Sequence, residues 1–460
     1  MKDPLTNKFS FRKYYQTLNG VGKKADFTIA PQPTKQMVDF YLWLNHVGIK
    51  TPASIHYPAY FKSPEGYSYP GILAMEDIKP NEILWEIPSK ALINTRNAYC
   101  SDLYPFFSYY VTVFSPKSYI WDYTVIYLFM KYEQLKGLKS QWYPYLQVLP
   151  KDTNTPTNWT ENEINEMQDK RFIEYVFSEK KEILACWDEL ESVIKNFPNL
   201  FPHNIVNIGS FTEFWALSSS RCFCSKARLS TFAPYADFVN HENVDSFYSN
   251  LYIKEVPANT QPDEEFYSEN SESDIDLNNN SFDDSEPIIY PHKVLNEPIN
   301  ASSPQGELLE IEKLLKGKVY TDEEKESLTA IDDLMQKDES YTQIYSTGSV
   351  KYEKGSQLYM AYGNKSNKHL LHEYGFILPN NKFDIAPIYI DVIKKYKNAD
   401  EIEKALKSAN YEKPEDIKCL YDYQINVLYD KLSTSTFIIR TNSLKQSYSW
   451  SSKSREVYVI

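Results

Sequence analysis

Five cysteines in 460 residues, Cys100, Cys186, Cys222, Cys224 and Cys419, are too few, odd in number and too irregularly spaced to form a disulfide framework. Their scarcity points to a reducing compartment. No stretch approaches the roughly 18 uninterrupted apolar residues of a spanning helix, and no apolar signal core lies near Met1, so membrane insertion is not expected. Glycine is scarce at 13 residues, and no phosphate-cradling loop, nucleophile elbow or dinucleotide fingerprint is found. Basic charge is short as well. With 49 Lys and Arg against 62 Asp and Glu, the net charge is −13. That balance repels phosphate backbones, so nucleic acid is not an expected partner and a basic protein is.

What the chain does contain is ordinary for a globular protein, 42% hydrophobic and 24% charged residues, and its length suits two or three domains. Its 38 Tyr, 24 Phe and 8 Trp promise a core packed with large rings. Residues 1–33 form an N-terminal arm in which Lys2, Lys8, Arg12, Lys13, Lys23 and Lys24 face Asp3 alone. It is either a solvated basic arm or an organelle transit peptide. The expected location is the cytoplasm or nucleus, with the mitochondrion as the alternative.

Met37, Phe40, Tyr41 and Leu44 have the spacing of a buried helical stripe over 34–48, ended by Gly48. Ile72–Met75 and Ile83–Ile87 read as two strands about a turn at Pro80-Asn81. Residues 122–137 read as a helix capped by Asp122, with Val125, Leu128, Phe129, Tyr132 and Leu135 on one face and Gly137 closing it. Helical periodicity continues from about 161 to 197, and short strands and turns follow from 232 to 251. Ten acidic residues between Asp263 and Glu286, set among Ser and Asn, mark a segment too polar to fold alone. The region 256–345 is therefore expected to be an acidic insertion, flexible to about 304 and holding a helix pair inside 306–337. A strand at Ile385–Val392 and helices near 399–410 and 414–432 are expected beyond Leu378.

Three segments carry the strongest signal: Pro234-Tyr235-Ala236-Asp237-Phe238-Val239-Asn240-His241, then Leu358-Tyr359-Met360-Ala361-Tyr362-Gly363, then Leu370-Leu371-His372-Glu373-Tyr374-Gly375-Phe376. They resemble, in order, the closing motifs of the split SET domains of the Rubisco large-subunit methyltransferase class. Gly71-Ile72-Leu73-Ala74 before Asp77-Ile78, and the Ser140-x-Trp142 and Pro144-Tyr145-Leu146 run into Leu149-Pro150, add to the resemblance. The implied fold is α+β: a SET domain of short curled β-sheets over 34–255 and 346–378, interrupted by a helical insert at about 150–210. A short, mainly helical substrate-binding domain follows at 379–460.

The resemblance implies a methyltransferase that takes S-adenosylmethionine as cofactor and methylates a Lys, or alternatively a His, of a non-histone protein. A SET-like subunit of a larger assembly, without turnover, is the competing reading. Tyr362 is the implied catalytic residue. A buried Tyr hydroxyl can orient a nitrogen nucleophile and face the moving methyl of an in-line displacement. Tyr69, Pro70, Gly71, Arg221, Asp237, Asn240, His241, Tyr374, Gly375 and Phe376 are the implied cofactor-binding residues. Among these, an Asn amide and a His ring suit an amino-acid head and an adenine edge, and a guanidinium suits a carboxylate. The family's first cofactor loop usually reads Gly-x-Gly, whereas Ser68-Tyr69-Pro70 stand before Gly71 here, and Pro70 stiffens them. No metal is expected: Cys222-x-Cys224 lacks a second pair, and His369-x-x-His372 matches no zinc-enzyme pattern.

Overall fold

The structure, a computed structural model, describes residues 27–257, 295–346 and 352–388, together with 437–440, 448–449 and 457–459. Gaps fall at 31, 53, 63–67, 117, 119–120, 152, 168, 225–228, 243–250, 296–297, 337–339, 364, 379–380 and 382. Two compact units emerge, Met1–Glu264 with Ile289–Ala361, and Glu265–Ile288 with Tyr362–Ile460.

In chain order the first unit contains β1 (Phe27–Thr28), α1 (Lys35–Val47), β2 (Ile55–Lys62), β3 (Ser68–Ala74), β4 (Ile83–Pro88), α2 (Trp121–Lys136), α3 (Lys170–Ile194), α4 (Ile208–Arg221), β5 (Phe223–Cys224), β6 (Ser230–Thr231), β7 (Asn240–His241), β8 (Leu251–Pro257), α5 (Pro304–Lys316), α6 (Asp322–Met335), β9 (Ser340–Ser346) and β10 (Gln357–Met360), with shorter turns of helix between them. Its sheets run β1-β2-β3-β10-β7, β4-β9-β8 and β5-β6. Every pairing is antiparallel except β10 with β7, in which Tyr359 faces Asn240 and Met360 faces His241.

The predicted stripe of α1 is buried, joined by Trp43 and Val47. Thr34 caps the helix by accepting from Met37 N–H, and Gly48 closes it in the left-handed region at φ 86°. The expected helix over 122–137 starts one residue earlier, which corrects the role given to Asp122. Inside the first turn its carboxylate accepts from the Thr95 hydroxyl and from Ser230 N–H at 2.9 Å, tying α2 to β6 rather than capping. The two strands expected between Gly71 and Pro88 are β3 and β4, and they belong to different sheets.

The aromatic core lies beneath the turn that leads into β7. Phe40 packs on Trp43, Tyr145, Tyr235 and Phe238, the rings 5.8 to 6.2 Å apart, and Tyr57 stacks on Phe238 at 4.4 Å. Full burial of each such ring stabilises by about 1.5–3 kcal/mol.

The helix pair expected inside 306–337 is α5 and α6, and both are fastened to the rest of the unit. The Glu307 carboxylate, completely buried, accepts from the backbone N–H groups of Asn199 and Leu200 at 3.0 and 2.8 Å and from Asn199 Nδ2 at 2.7 Å. Lys318 donates to the Tyr109 carbonyl, pairs with Glu324 at 3.0 Å and lies over the Tyr109 and Tyr320 rings. The acidic residues Asp263 to Glu286 fall outside the described residues. The strands that bracket the insertion pair with each other, from Leu251↔Ser346 to Pro257↔Ser340.

The second unit contains α7 (Asn367–Tyr374), β11 (Ile385–Ile388), β12 (Phe437–Arg440), β13 (Tyr448–Ser449) and β14 (Val457–Val459), with sheet order β11-β12-β14-β13. The strand expected at Ile385–Val392 is described as far as Ile388. The helices expected near 399–410 and 414–432 lie outside the described residues. No helix among the described residues is long and apolar enough to cross a membrane.

Candidate active site

In the first unit the site residues gather where β3, β10 and β7 run side by side. Residues 235–238 lead into β7, and four interactions clamp them. Arg221 Nη1, from the last residue of α4, donates to the Asp237 carbonyl at 2.7 Å. The guanidinium also lies 3.7 Å from the Asp237 carboxylate and 5.5 Å from the Phe238 ring centroid. The Tyr145 hydroxyl donates to the Asp237 carboxylate at 2.8 Å. Burial pushes the Asp237 carboxyl up to about 6, against the opposing pull of Arg221. Tyr235 adopts φ 76°, a conformation costing a non-glycine residue about 1–3 kcal/mol, held by rings on several sides and by its hydroxyl 3.3 Å from that of Tyr41.

Beyond the clamp, Asn240 Nδ2 donates to the Pro70 carbonyl at 2.8 Å. His241 is buried, and its Nδ1 lies 3.1 Å from the Met360 carbonyl. A carbonyl only accepts, so Nδ1 carries the proton. Burial lowers the ring's basicity, so the imidazole is neutral with Nε2 as its acceptor. Pro70 faces Tyr60 of β2 and lies outside the stretch of β3 that pairs with β10, so it does not interrupt that ladder. Gly71 has no room for a side chain: a Cβ there would collide with the Gln357 carboxamide and sit 3.0 Å from Asn240 Nδ2. Tyr69 donates to Gln357 Oε1 at 3.2 Å.

In the second unit, Tyr362 and Tyr374 stack with centroids 4.6 Å apart, and Phe376 lies 6.2 Å from Tyr374. Burial, and then Tyr362, raise the Tyr374 hydroxyl above its usual range, so it stays protonated. Gly375 ends α7 at φ 74°, its N–H returning to Leu370 and Leu371, while Gly363 takes φ 104°. Asn367, at the start of α7, is bound on both sides of its amide: Nδ2 to the Leu378 carbonyl and Asp384, Oδ1 from Leu378 N–H and Asn381.

The structure thus brings Tyr69, Pro70, Gly71, Arg221, Asp237, Asn240 and His241 together in one unit, and Tyr362, Tyr374, Gly375 and Phe376 in the other. Tyr145, Gln357 and Tyr359, which touch or neighbour these candidates, are not singled out by the sequence. Pro144-Tyr145-Leu146 was already in view as a motif, but nothing in it shows that the hydroxyl meets Asp237. Among the described residues no three potential metal ligands cluster. His372 Nδ1 lies 2.7 Å from the Glu373 carboxylate.

The structure is similar to the SET domain of LSMT bound to lysine and AdoHcy, with a TM-score of 0.52 at 18% identity over 89% of this chain and 68% of that one. The fold is a SET domain. Among curated proteins, the SET-bearing chain is 28% identical over 207 residues to [fructose-bisphosphate aldolase]-lysine N-methyltransferase of Arabidopsis thaliana, covering 44% of this chain and 39% of that protein. It is 27% identical over 219 residues to the ribulose-1,5 bisphosphate carboxylase/oxygenase large subunit N-methyltransferase of Nicotiana tabacum, covering 46% and 39%. The matches therefore span about two fifths of the length of those relatives. No family model matches.

Proposed function

We propose that this SET domain binds S-adenosylmethionine and transfers its methyl group to a lysine side chain of a protein. One observation carries the reading. Asn240-His241 and Tyr359-Met360, from distant parts of the chain, are hydrogen-bonded neighbours in a parallel pair, two residues before Tyr362. The strands of two of the three motif segments are thereby joined within the first unit, and the lysine N-methyltransferases among the relatives support the same chemistry.

The residues present fit the cofactor. Its amino-acid head and adenine need hydrogen-bond donors and acceptors with close backbone approach, which the Asn240 amide, the neutral His241 ring and the strand at Gly71 provide. When bound, the sulfonium supplies a methyl group already activated for displacement. The protein has to hold, orient and desolvate. Asn240, His241 and Gly71 hold the cofactor, and Arg221, Asp237 and Tyr145 fix the turn that aims Asn240. Tyr362, its ring stacked on Tyr374, directs the incoming lysine nitrogen, which attacks only when deprotonated. The net charge of −13 favours a basic partner surface. The cytoplasm or nucleus is the proposed location.

The test combines calorimetry of S-adenosylmethionine binding with radiolabelled methyl transfer into a lysate of the source cell. Binding with labelling of a protein band, and methyl-lysine recovered on hydrolysis, is the expected result. No heat at millimolar cofactor would overturn the reading in favour of a structural subunit without turnover.

A further inference from the structure

Gln357 opens β10, is 6% exposed and faces Leu73 of β3. Its Oε1 accepts two phenol hydroxyls, from Tyr359 at 2.9 Å and from Tyr69 at 3.2 Å, filling both lone pairs. Only the oxygen can accept, so the two tyrosines fix which way the carboxamide points. Nε2 is left facing Gly71, where it is buried and makes no hydrogen bond among the described residues. A buried N–H without a partner costs about 1–3 kcal/mol, and such a group in a folded protein calls for an explanation.

Asn240 supplies one. Its Nδ2 lies on the same side of Gly71, since both amide nitrogens crowd the point that a Cβ would occupy. The missing side chain of Gly71 is what lets the two carboxamides share that space. In this structure Asn240 gives one of its two N–H groups to the Pro70 carbonyl, and no hydrogen bond to its oxygen is found among the described residues. Swinging the Asn240 side chain off the Pro70 carbonyl and turning its carboxamide over would direct Nδ2 away from the strand and bring Oδ1 toward the waiting Gln357 Nε2.

We propose that Gln357 is a positioning residue for Asn240, holding its oxygen when the Asn240 amide turns its donor from the Pro70 carbonyl to the cofactor. The proposal rests on the function given above. Tyr69 and Tyr359 act one step further back, by fixing the orientation of Gln357.

The experiment is a double-mutant cycle on S-adenosylmethionine affinity in the full chain, measured by calorimetry with wild type, Gln357→Met, Asn240→Ala and the double variant. Methionine keeps the length of the side chain and removes the carboxamide, donor and acceptor together. The expected result is about a tenfold loss of affinity for Gln357→Met alone and less than a twofold further loss when it is added to Asn240→Ala. An equal loss in both backgrounds, or none in either, would overturn the proposal. If Gln357→Met proves poorly folded by its thermal midpoint, Tyr69→Phe replaces it. That variant unlocks the same carboxamide from the outer side and should show the same dependence on Asn240. Absence of binding by the wild type would instead refute the cofactor reading, and is told apart because it appears before any substitution.

Discussion

Asn240 and Tyr362 separate binding from chemistry. Asn240→Ala leaves a site built around an amide with nothing in its place, and an affinity loss of about a hundredfold is expected, about 2.7 kcal/mol. Calorimetry with S-adenosylmethionine checks it. Tyr362→Phe keeps the ring that stacks on Tyr374 at 4.6 Å and removes one hydroxyl. Affinity should hold while the methyl-transfer rate falls at least about tenfold, or 1.4 kcal/mol, because the hydroxyl acts on the transition state rather than on the bound cofactor. Labelling assays at equal cofactor occupancy read the difference, and equal rates would remove Tyr362 from catalysis. The residue roles were only partly legible in the sequence. Asn240, His241 and Gly71 stood out as motif, whereas Gln357 and Tyr145 act through contacts with residues remote in the chain, Tyr69 and Asp237, which no local pattern announces.

Elements with strong periodicity were the most legible. The stripe and the two caps of α1 are local, so spacing and Gly48 defined it, and the helix pair α5 and α6 was foreseen for the same reason. β2 was missed: its burial alternates unevenly and its register shifts between His56 and Ala59, so no clean two-residue period exists to be read. That β3 and β4 separate into two sheets could not be read either, because their partners β10 and β9 lie hundreds of residues on in the chain. The insertion divides into parts of different standing. Deleting about 262–286 should leave the thermal midpoint nearly unchanged, since loop length enters closure entropy only slowly. A fall of many degrees would show that this segment packs on the domain. Glu307→Ala should cost about 3 kcal/mol, because it takes the acceptor from the buried Leu200 N–H and from two half-buried donors of Asn199. Chemical denaturation measures that loss.

At the scale of the molecule, buried titrating groups set the response to acid. Burial lowers His56 to about 4 and lowers His241 as well, so both stay neutral in the fold. The stability this gives is full above the unfolded value near 6.5 and is lost as pH falls below it, for His56 down to about 4. Asp237 runs the other way. Its carboxyl is raised from 3.8 to about 6, so its contribution is full below 3.8 and is lost as pH rises through 6. In Asp237→Asn that compensation is gone, and stability should fall more steeply between pH 7 and 4 than in the wild type, by up to about 3 kcal/mol. Thermal midpoints across the range test it, and parallel curves would place the Asp237 carboxyl in its ordinary range. The pairing of Pro257 with Ser340 has a consequence of another kind. A backbone cut within 262–286 leaves β4, β8, β3 and β7 on one fragment and β9 and β10 on the other, and in each of the larger sheets of the unit one strand of the second fragment lies between two strands of the first. The two pieces therefore hold each other in register as interleaved fingers do, and the gene could be divided at that point into separately expressed halves that regain the SET fold only on meeting.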